Sequence, residues 1–442
     1  MNAPEPAPTM RTPTAIKSIL PMGLSYLASG GSLITSSAAQ LLTFAILARA
    51  LGVLEFSYFV GLTAITAVAV QLCGLGSQEA LVRRVAQDRT MFRVMFGHSI
   101  IMSAATGALL VALGLVALPF LFTLDANPWT NLGAISLFLL ANIILTRVIL
   151  FVEAAFLAHS MFAAANRNVV LYAAGRLVAA VAGCLVFGVD SLAEWAVWNF
   201  VAHLVIAVIA LRSIRSLGAP KFHIVRDELR NGLLFCTPFV LRALRQNIDL
   251  LLLTAFTSPE IVASYGVARR IIDSGYLSVD ALNRLMYPGS AAATVNGLRH
   301  GMARFRKVFF VSLGISTVTA VILIAAAPLL PLLFGHEYVS MPDFVRVLAF
   351  VIVLMGMYAT ALEALGSSGH QLQRALVLNS ATIVGGITVA LATWRFGING
   401  TFVASYAVEA GTAAFAWFML LRLAAASDKP GPRLGGEGVL GS

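Results

Sequence analysis

Apolar residues fill this chain in runs of about 20, the length a helix needs to cross a hydrocarbon core of about 30 Å. Twelve such runs stand in order, over 32–51, 57–78, 97–122, 133–157, 168–188, 192–212, 233–255, 261–283, 307–333, 345–366, 373–394 and 399–421. Gly52, Pro119, Gly188, Pro259, Pro288, Gly335 and Gly397 punctuate their ends or lie near them. The pattern predicts an all-α integral membrane protein of twelve transmembrane helices. Lys and Arg then orient them. Twenty lie in the N-terminal tail, the even-numbered connections and the C-terminal tail, against Arg49, Arg346 and Arg395 at the odd-numbered connections. Basic loops stay cytoplasmic, so both termini are expected there. A missed or extra span would have destroyed the alternation.

The twelve spans divide into two sixes that repeat. Tyr58 corresponds to Tyr265, Pro119 to Pro328, and Phe187-Gly188 to Phe396-Gly397, at offsets of 207, 209 and 209. Matches in order at a nearly constant offset indicate duplication. Six spans per unit is even, so the halves share orientation about an axis along the membrane normal, as in secondary transporters whose sites lie between the halves. The expected organisation is a cytoplasmic tail over 1–30, a six-helix lobe over 31–215, a basic linker over 216–232, a second lobe over 233–423 and a disordered tail over 424–442. The apolar patch Ile19–Leu27 is too short to span, and residues 1–30 read as a tail with an interfacial turn.

Composition sharpens this picture. The chain is 59% apolar and 11% charged over 442 residues, with a mean hydropathy of +0.87. Soluble domains carry about 25% charged residues. The net charge of +10 sits in short interhelical loops, which argues topology rather than nucleic acid. Cys73, Cys184 and Cys236 fall within apolar runs and read as small buried hydrophobes. Neither a metal-ligand spacing nor a nucleotide-binding motif is present, so no cofactor is expected.

Thirteen charged residues within the spans or at an edge of one nevertheless carry the candidate chemistry. They are Arg147, Glu153, Arg176, Arg242, Arg245, Asp249, Arg269, Arg270, Asp273, Asp280, Arg284, Glu363 and Glu409. Each would cost about 2.5–3.5 kcal/mol at a lipid-facing helix centre, so they must pair or line a hydrated interior. In span seven, Arg242, Arg245 and Asp249 share one helical face. In span eight, Arg269, Asp273, Asp280 and Arg284 form a stripe with Arg270 beside it. Acids that merely neutralise arginines would explain part of this. Four arginines facing two or three acids leave a cationic surplus, and a guanidinium fork suits phosphate and cannot deprotonate. Arg242, Arg245, Arg269, Arg270, Arg147 and Arg176 are therefore the candidate ligands for an anionic headgroup. Asp249, Asp273, Glu153 and Glu363 are candidate charge-pair or proton sites. Arg147 and Glu153, six residues apart, fall on different faces, and Arg176 is read as either cavity wall or partner of Glu153. Glu409 reads as a neutral core carboxyl, His203 as a hydrogen-bonded core histidine, and Arg83 and Arg84 as topological charges.

Four segments carry a family resemblance. Ile46-Leu-Ala-Arg-Ala-Leu-Gly-Val-Leu-Glu-Phe56, Gly74-Leu-Gly-Ser-Gln-Glu-Ala-Leu-Val-Arg-Arg84, Pro331-Leu-Leu-Phe-Gly-His-Glu-Tyr338 and Phe396-Gly-Ile-Asn-Gly400 resemble, in order, motifs of the oligosaccharide-lipid flippases. These are the polysaccharide-type branch of the multidrug/oligosaccharidyl-lipid/polysaccharide exporter superfamily. The likeness runs from about residue 25 to 423, with Ser57 standing where the family usually has Gly. It implies two pseudo-symmetric six-helix lobes around a central cavity. It also implies transport of polyprenyl-pyrophosphate-linked oligosaccharide from the cytoplasmic to the periplasmic leaflet of the bacterial inner membrane by alternating access. The expected partners are that lipid-linked oligosaccharide, membrane lipids, and polysaccharide polymerase and export machinery, without nucleic acid. A drug/cation antiporter of the same superfamily would want an acidic cavity. A polytopic glycan polymerase or ligase would want a larger loop or domain for its chemistry. A peptidoglycan-precursor flippase typically has two further helices.

Overall fold

The computed structural model describes residues 14–294 and 298–426; helices joined by short connections make up almost all of it, with no strand among the described residues. In order the helices are α1 (Thr14–Leu72), α2 (Ser77–Gln87), α3 (Phe92–Ala117), α4 (Pro128–Leu139), α5 (Thr146–Ala158), α6 (Phe162–Ala180), α7 (Leu192–Ser213), α8 (Arg226–Phe256), α9 (Pro259–Ala293), α10 (Leu298–Ala326), α11 (Leu330–Phe334), α12 (Met341–Ala349), α13 (Val351–Ser367) and α14 (Gln371–Ala426). The longest two, α1 and α14, are each a pair of crossings joined through a glycine. Gly52 (φ 69°) and Gly397 (φ 60°) take the left-handed backbone that side chains resist. A straight helix would hold Gly385 and Val408 about 35 Å apart, yet a Cβ on Gly385 would meet Val408 Cγ1 at 2.6 Å. In α1, the rings of Phe44 and Phe56 pack edge-on at 5.1 Å. Both are antiparallel hairpins.

Length and apolarity alone pick out eight stretches among the described residues, two of which are these hairpins. That makes ten crossings. The other two are α8 and α9, which are 31 and 35 residues long but carry too many charges to pass on hydropathy. They are spans seven and eight, the ones that bear the arginine stripes. The result is the expected fold of two six-helix lobes.

The duplication is visible in local geometry. Pro119 and Pro328 each occupy the middle of a three-residue 3₁₀ turn, Leu118–Phe120 and Ala327–Leu329. Gly188 shares the positive φ of Gly397, at 71°. The tyrosine pair has diverged: Tyr58 packs edge-on against Phe122, whereas the Tyr265 hydroxyl donates to Asp249 at 2.6 Å. Two boundaries differ from expectation. Helix α1 begins at Thr14, so residues 14–30 of the expected tail are helical and continuous with the first crossing. The linker from Arg226 onward is already the start of α8. Residues 1–13 and 427–442, where disordered tails were expected, lie outside the described residues.

The lobes meet chiefly through α1, which packs against both α8 and α9. One such contact lies at the end of the bundle that carries the odd-numbered connections. There the Tyr338 hydroxyl donates to the Ala48 carbonyl at 2.6 Å, and its ring meets Phe56 edge-on. Gly61 lies against Thr254 and Gly266 against Val60, each so close that a Cβ would come within 2.8 Å of the neighbour. Small residues let backbones approach where lipid offers no hydrophobic drive for association. Two of the motif segments, 46–56 and 331–338, thus form one joint between the lobes. Ser57 is buried there and bonds the Leu54 carbonyl at 2.6 Å. Close by, Glu55 accepts the Leu192 N–H at 3.0 Å. Burial pushes the Glu55 carboxyl up, partly offset by that bond.

A second joint lies at the opposite, basic end. The segment 73–76 brings α2 onto α8, where Gly76 (φ 73°) faces the Gly232 backbone; a Cβ there would lie 2.1 Å from the carbonyl oxygen. Arg83 and Arg84 both grip the buried Glu228, at 2.8 and 2.6 Å. Their role exceeds the topological one expected of them. The Lys221 N–H donates to the Arg93 carbonyl at 2.7 Å and ties the linker to α3.

Candidate functional site

Helix α9 runs through the middle of the molecule, packed against α1, α8, α10, α12 and α13. Asp273 lies about 21 Å along it, deep within the bundle, and its side chain is nonetheless 47% exposed. The adjacent Ile271 and Ile272 are buried. One face of α9 therefore borders open interior space while the other is packed.

Around that space the predicted residues sort into three arrangements. Arg245 of α8 reaches Glu409 of α14 at 2.8 Å, with Tyr358 of α13 flanking the pair. Arg269 pairs with Asp273 one turn on, at 3.6 Å. Asp249 is 5% exposed and bridges α8 to α9 by accepting from the Tyr265 hydroxyl; its other oxygen takes the Leu250 N–H at 2.8 Å. Arg269 lies beside this bridge, with Asp249 among its charged neighbours.

The third arrangement is the one without an ion pair among the described residues. Arg270 crosses the lobe boundary to donate to the Gln40 side-chain carbonyl, which Ser36 steadies from below through a 3.0 Å bond to the Gln40 amide. Its nearest charges are Asp273, beyond ion-pair reach, and Arg176 of the other lobe. Arg176 lies 5.7 Å from the ring centroid of Tyr172. Arg242 is exposed and belongs to the polar group around Tyr276 with Arg245, Glu409 and Asp280. Among the described residues, none of Arg176, Arg242 and Arg270 has a carboxylate within 4 Å. The buried Nε atoms of Arg176, Arg269 and Arg270 have no hydrogen-bond acceptor.

The remaining candidates lie elsewhere. Arg147 follows a π turn, Leu140–Leu145, and is 4% exposed beneath the 73–76 segment. Its charged neighbour is Glu79, with Cys73 and Cys236 alongside, not the α9 guanidiniums. Glu153 makes no ion pair with Arg147 or Arg176 among the described residues. Glu363 does not stand alone as its apolar helix suggested. It sits near the basic end of α13 with Ser290, Arg374 and Arg304 around it, its two oxygens buried and without a donor in bonding geometry. Only the backbone of Arg284 is described. His203 is a hydrogen-bonded core residue as expected, held by the Asn199 carbonyl at 2.7 Å and facing the Tyr172 hydroxyl.

Sequence reasoning missed three partners. Glu409 was read as neutral core, but it is the counter-ion of Arg245 from 164 residues away. Gln40 gave one faint signal, its i, i+4 spacing from Ser36 in an otherwise apolar span. Glu228 gave none, because a carboxylate at a helix start is ordinary there.

The lobes, the interior guanidiniums and the two joints define an all-helical membrane protein of the two-lobe, twelve-helix class. An inward-facing multidrug resistance MATE family transporter of the MOP superfamily has this fold, with a TM-score of 0.70 at 16% identity, covering 92% of this chain and 99% of that one. The outward-facing conformation of a transporter of the same description gives 0.60 at 15% identity over 92% and 97%. A eukaryotic MATE transporter gives 0.59 at 14% over 92% and 98%. No curated protein matches by sequence. The family whose sequence pattern matches residues 24–277 is described as polysaccharide biosynthesis protein, and the chain belongs to that family.

Proposed function

We propose that the protein flips a polyprenyl-pyrophosphate-linked oligosaccharide between membrane leaflets, from cytoplasm to periplasm in a bacterial inner membrane. The observation that carries this reading is the set Arg176, Arg242 and Arg270, contributed by both lobes and without a carboxylate within 4 Å among the described residues. A guanidinium that cannot deprotonate is costly to leave unpaired in a dry interior, so these three need water or an anion. A pyrophosphate meets that need from both sides at once, while its prenyl tail stays in lipid. Arg245 and Arg269 carry their own counter-ions and set the position of α8 and α9. The family description favours a saccharide-linked anion over a drug cation, and so does the pairing of the exposed Asp273 with Arg269. The family description and the shared fold with transporters support transport rather than catalysis. Polymerase and export machinery are its expected partners downstream.

The lobes would alternate about the odd-end joint. With a negative cytoplasm, moving a dianion outward gains about 4–5 kcal/mol per 100 mV, and the same field favours return of the empty cationic site. The test is flipping in vesicles holding purified lipid-linked oligosaccharide, read by glycosidase access to the outer leaflet. Arg242→Ala and Arg270→Ala should abolish flipping with folded protein retained, and Lys at either position should restore part of it. Full activity in both alanine variants would overturn the assignment.

A further inference from the structure

A second feature lies outside the cavity, on the flank of the C-terminal lobe. Helix α10 and the last crossing of α14 diverge over α13 and leave a groove of about 560 Å³. Its lining is aromatic and aliphatic, with Phe310 on one side, Leu421 on the other, small residues such as Ala414 between, and Phe309 and Trp417 meeting at the floor. The floor is rigid. The Trp417 indole donates to the Met357 carbonyl at 2.9 Å, and its ring meets Phe309 edge-on at 5.0 Å.

Two properties restrict what fills it. The lining runs from Ala410 to Leu421 along α14, a rise of about 16 Å, against about 15 Å for half the hydrocarbon core. The groove therefore spans one leaflet, beginning at the basic end of the bundle. At that end an arginine stands on each wall. Arg306 lines the groove on α10, and Arg422 follows Leu421 on α14. Both are exposed, and neither makes an ion pair among the described residues.

We propose that this groove binds an anionic phospholipid, one acyl chain lying against Phe309 and Trp417 and the phosphate held between Arg306 and Arg422. Charge selects the headgroup, because each basic residue near the surface favours an anionic lipid about fivefold. Depth selects the chain, because the groove ends one leaflet in, whereas a polyprenyl tail is far longer. The C-terminal segment 427–442 starts nearby but offers only Leu434, Val439 and Leu440 as sizeable apolar side chains, and it carries as many acids as bases. The site is separate from the interlobe cavity, and the proposal stands whatever the protein carries.

Native mass spectrometry of the full-length protein, titrated with phosphatidylglycerol or phosphatidylcholine, tests it. Phosphatidylglycerol should form the dominant one-to-one adduct. The double variant Arg306→Gln/Arg422→Gln should lose about 25-fold in that preference while keeping the wild-type helical content by circular dichroism. Ala414→Trp should lower the adduct of both lipids by filling the groove. Equal binding of the two lipids, a preference unchanged in the arginine variant, or displacement of phosphatidylglycerol by polyprenyl phosphate would each overturn the proposal. So would an adduct that appears only after removal of residues 427–442, or a second copy of the chain occupying the groove in a dimer that excludes lipid.

Discussion

The Arg245–Glu409 pair separates a brace from a binding site. Its atoms are 2.8 Å apart, and the side chains are 19% and 11% exposed. At an effective dielectric of about 20, the attraction is about 6 kcal/mol. Removing both charges from water costs several kcal/mol per ion, so the net contribution of the intact pair is near zero. Breaking it from one side is different. Glu409→Leu leaves a guanidinium that cannot neutralise itself and should cost about 3–5 kcal/mol. Arg245→Met should cost less, because the abandoned carboxyl can take up a proton. The double variant Arg245→Met/Glu409→Leu should recover most of the loss, with a coupling energy of about 2–3 kcal/mol. Unfolding is readable in detergent with a thiol-reactive dye, because Cys73 and Cys236 are buried and in no disulfide. Flipping is then measured on the same four proteins. If Arg245 helps hold the pyrophosphate, the double variant is stable and inactive. A double variant with wild-type flipping would show that the pair is only a brace, and would remove Arg245 from the site.

The basic-end joint should respond to its own partners: Glu228→Gln keeps the geometry but loses the charge that Arg83 and Arg84 share, costing about 1–3 kcal/mol in the same dye assay. Gly76→Ala places a methyl 2.1 Å from the Gly232 carbonyl oxygen at a positive φ, and should loosen α2 from α8, read as faster proteolysis of the 218–225 linker. Flipping should slow when the membrane potential is collapsed without a pH gradient, and Glu363→Gln should retain substantial activity; loss of activity in that variant together with flipping that follows only the pH gradient would assign the driving force to protons. Cysteines placed at Asp125, Asp190, Glu260 and Glu337 should label from the periplasm, and labelling from the cytoplasm alone would invert the orientation.

Much of the architecture was legible because the bilayer reduces it to one dimension. A run of about 20 apolar residues must be a spanning helix, since no other open structure satisfies its backbone in lipid. That reasoning located all twelve crossings, including α8 and α9, where charge masks apolarity, because the helical spacing of Arg242, Arg245 and Asp249 keeps them on one face. The repeat was legible for a related reason. Pro119 and Pro328, and Gly188 and Gly397, mark backbone geometries that few other residues adopt, so they survive as matched punctuation.

What the sequence determined by itself was thus the number of crossings, their division into two sixes, and which side chains had to avoid lipid. Which partner each charge found was decided only by the tertiary structure. Glu409 looks as isolated along the chain as Glu363, yet one meets Arg245 from 164 residues away and the other lies among Ser290, Arg374 and Arg304. Arg270 looks like Arg269, but a rotation of about 100° along the helix turns one toward Gln40 of the other lobe and the other toward Asp273. Helix periodicity assigns a side chain to a face. What that face meets depends on how two lobes twist and dock, and the docking rests on close approaches such as Gly266 against Val60 that have no signature along the chain.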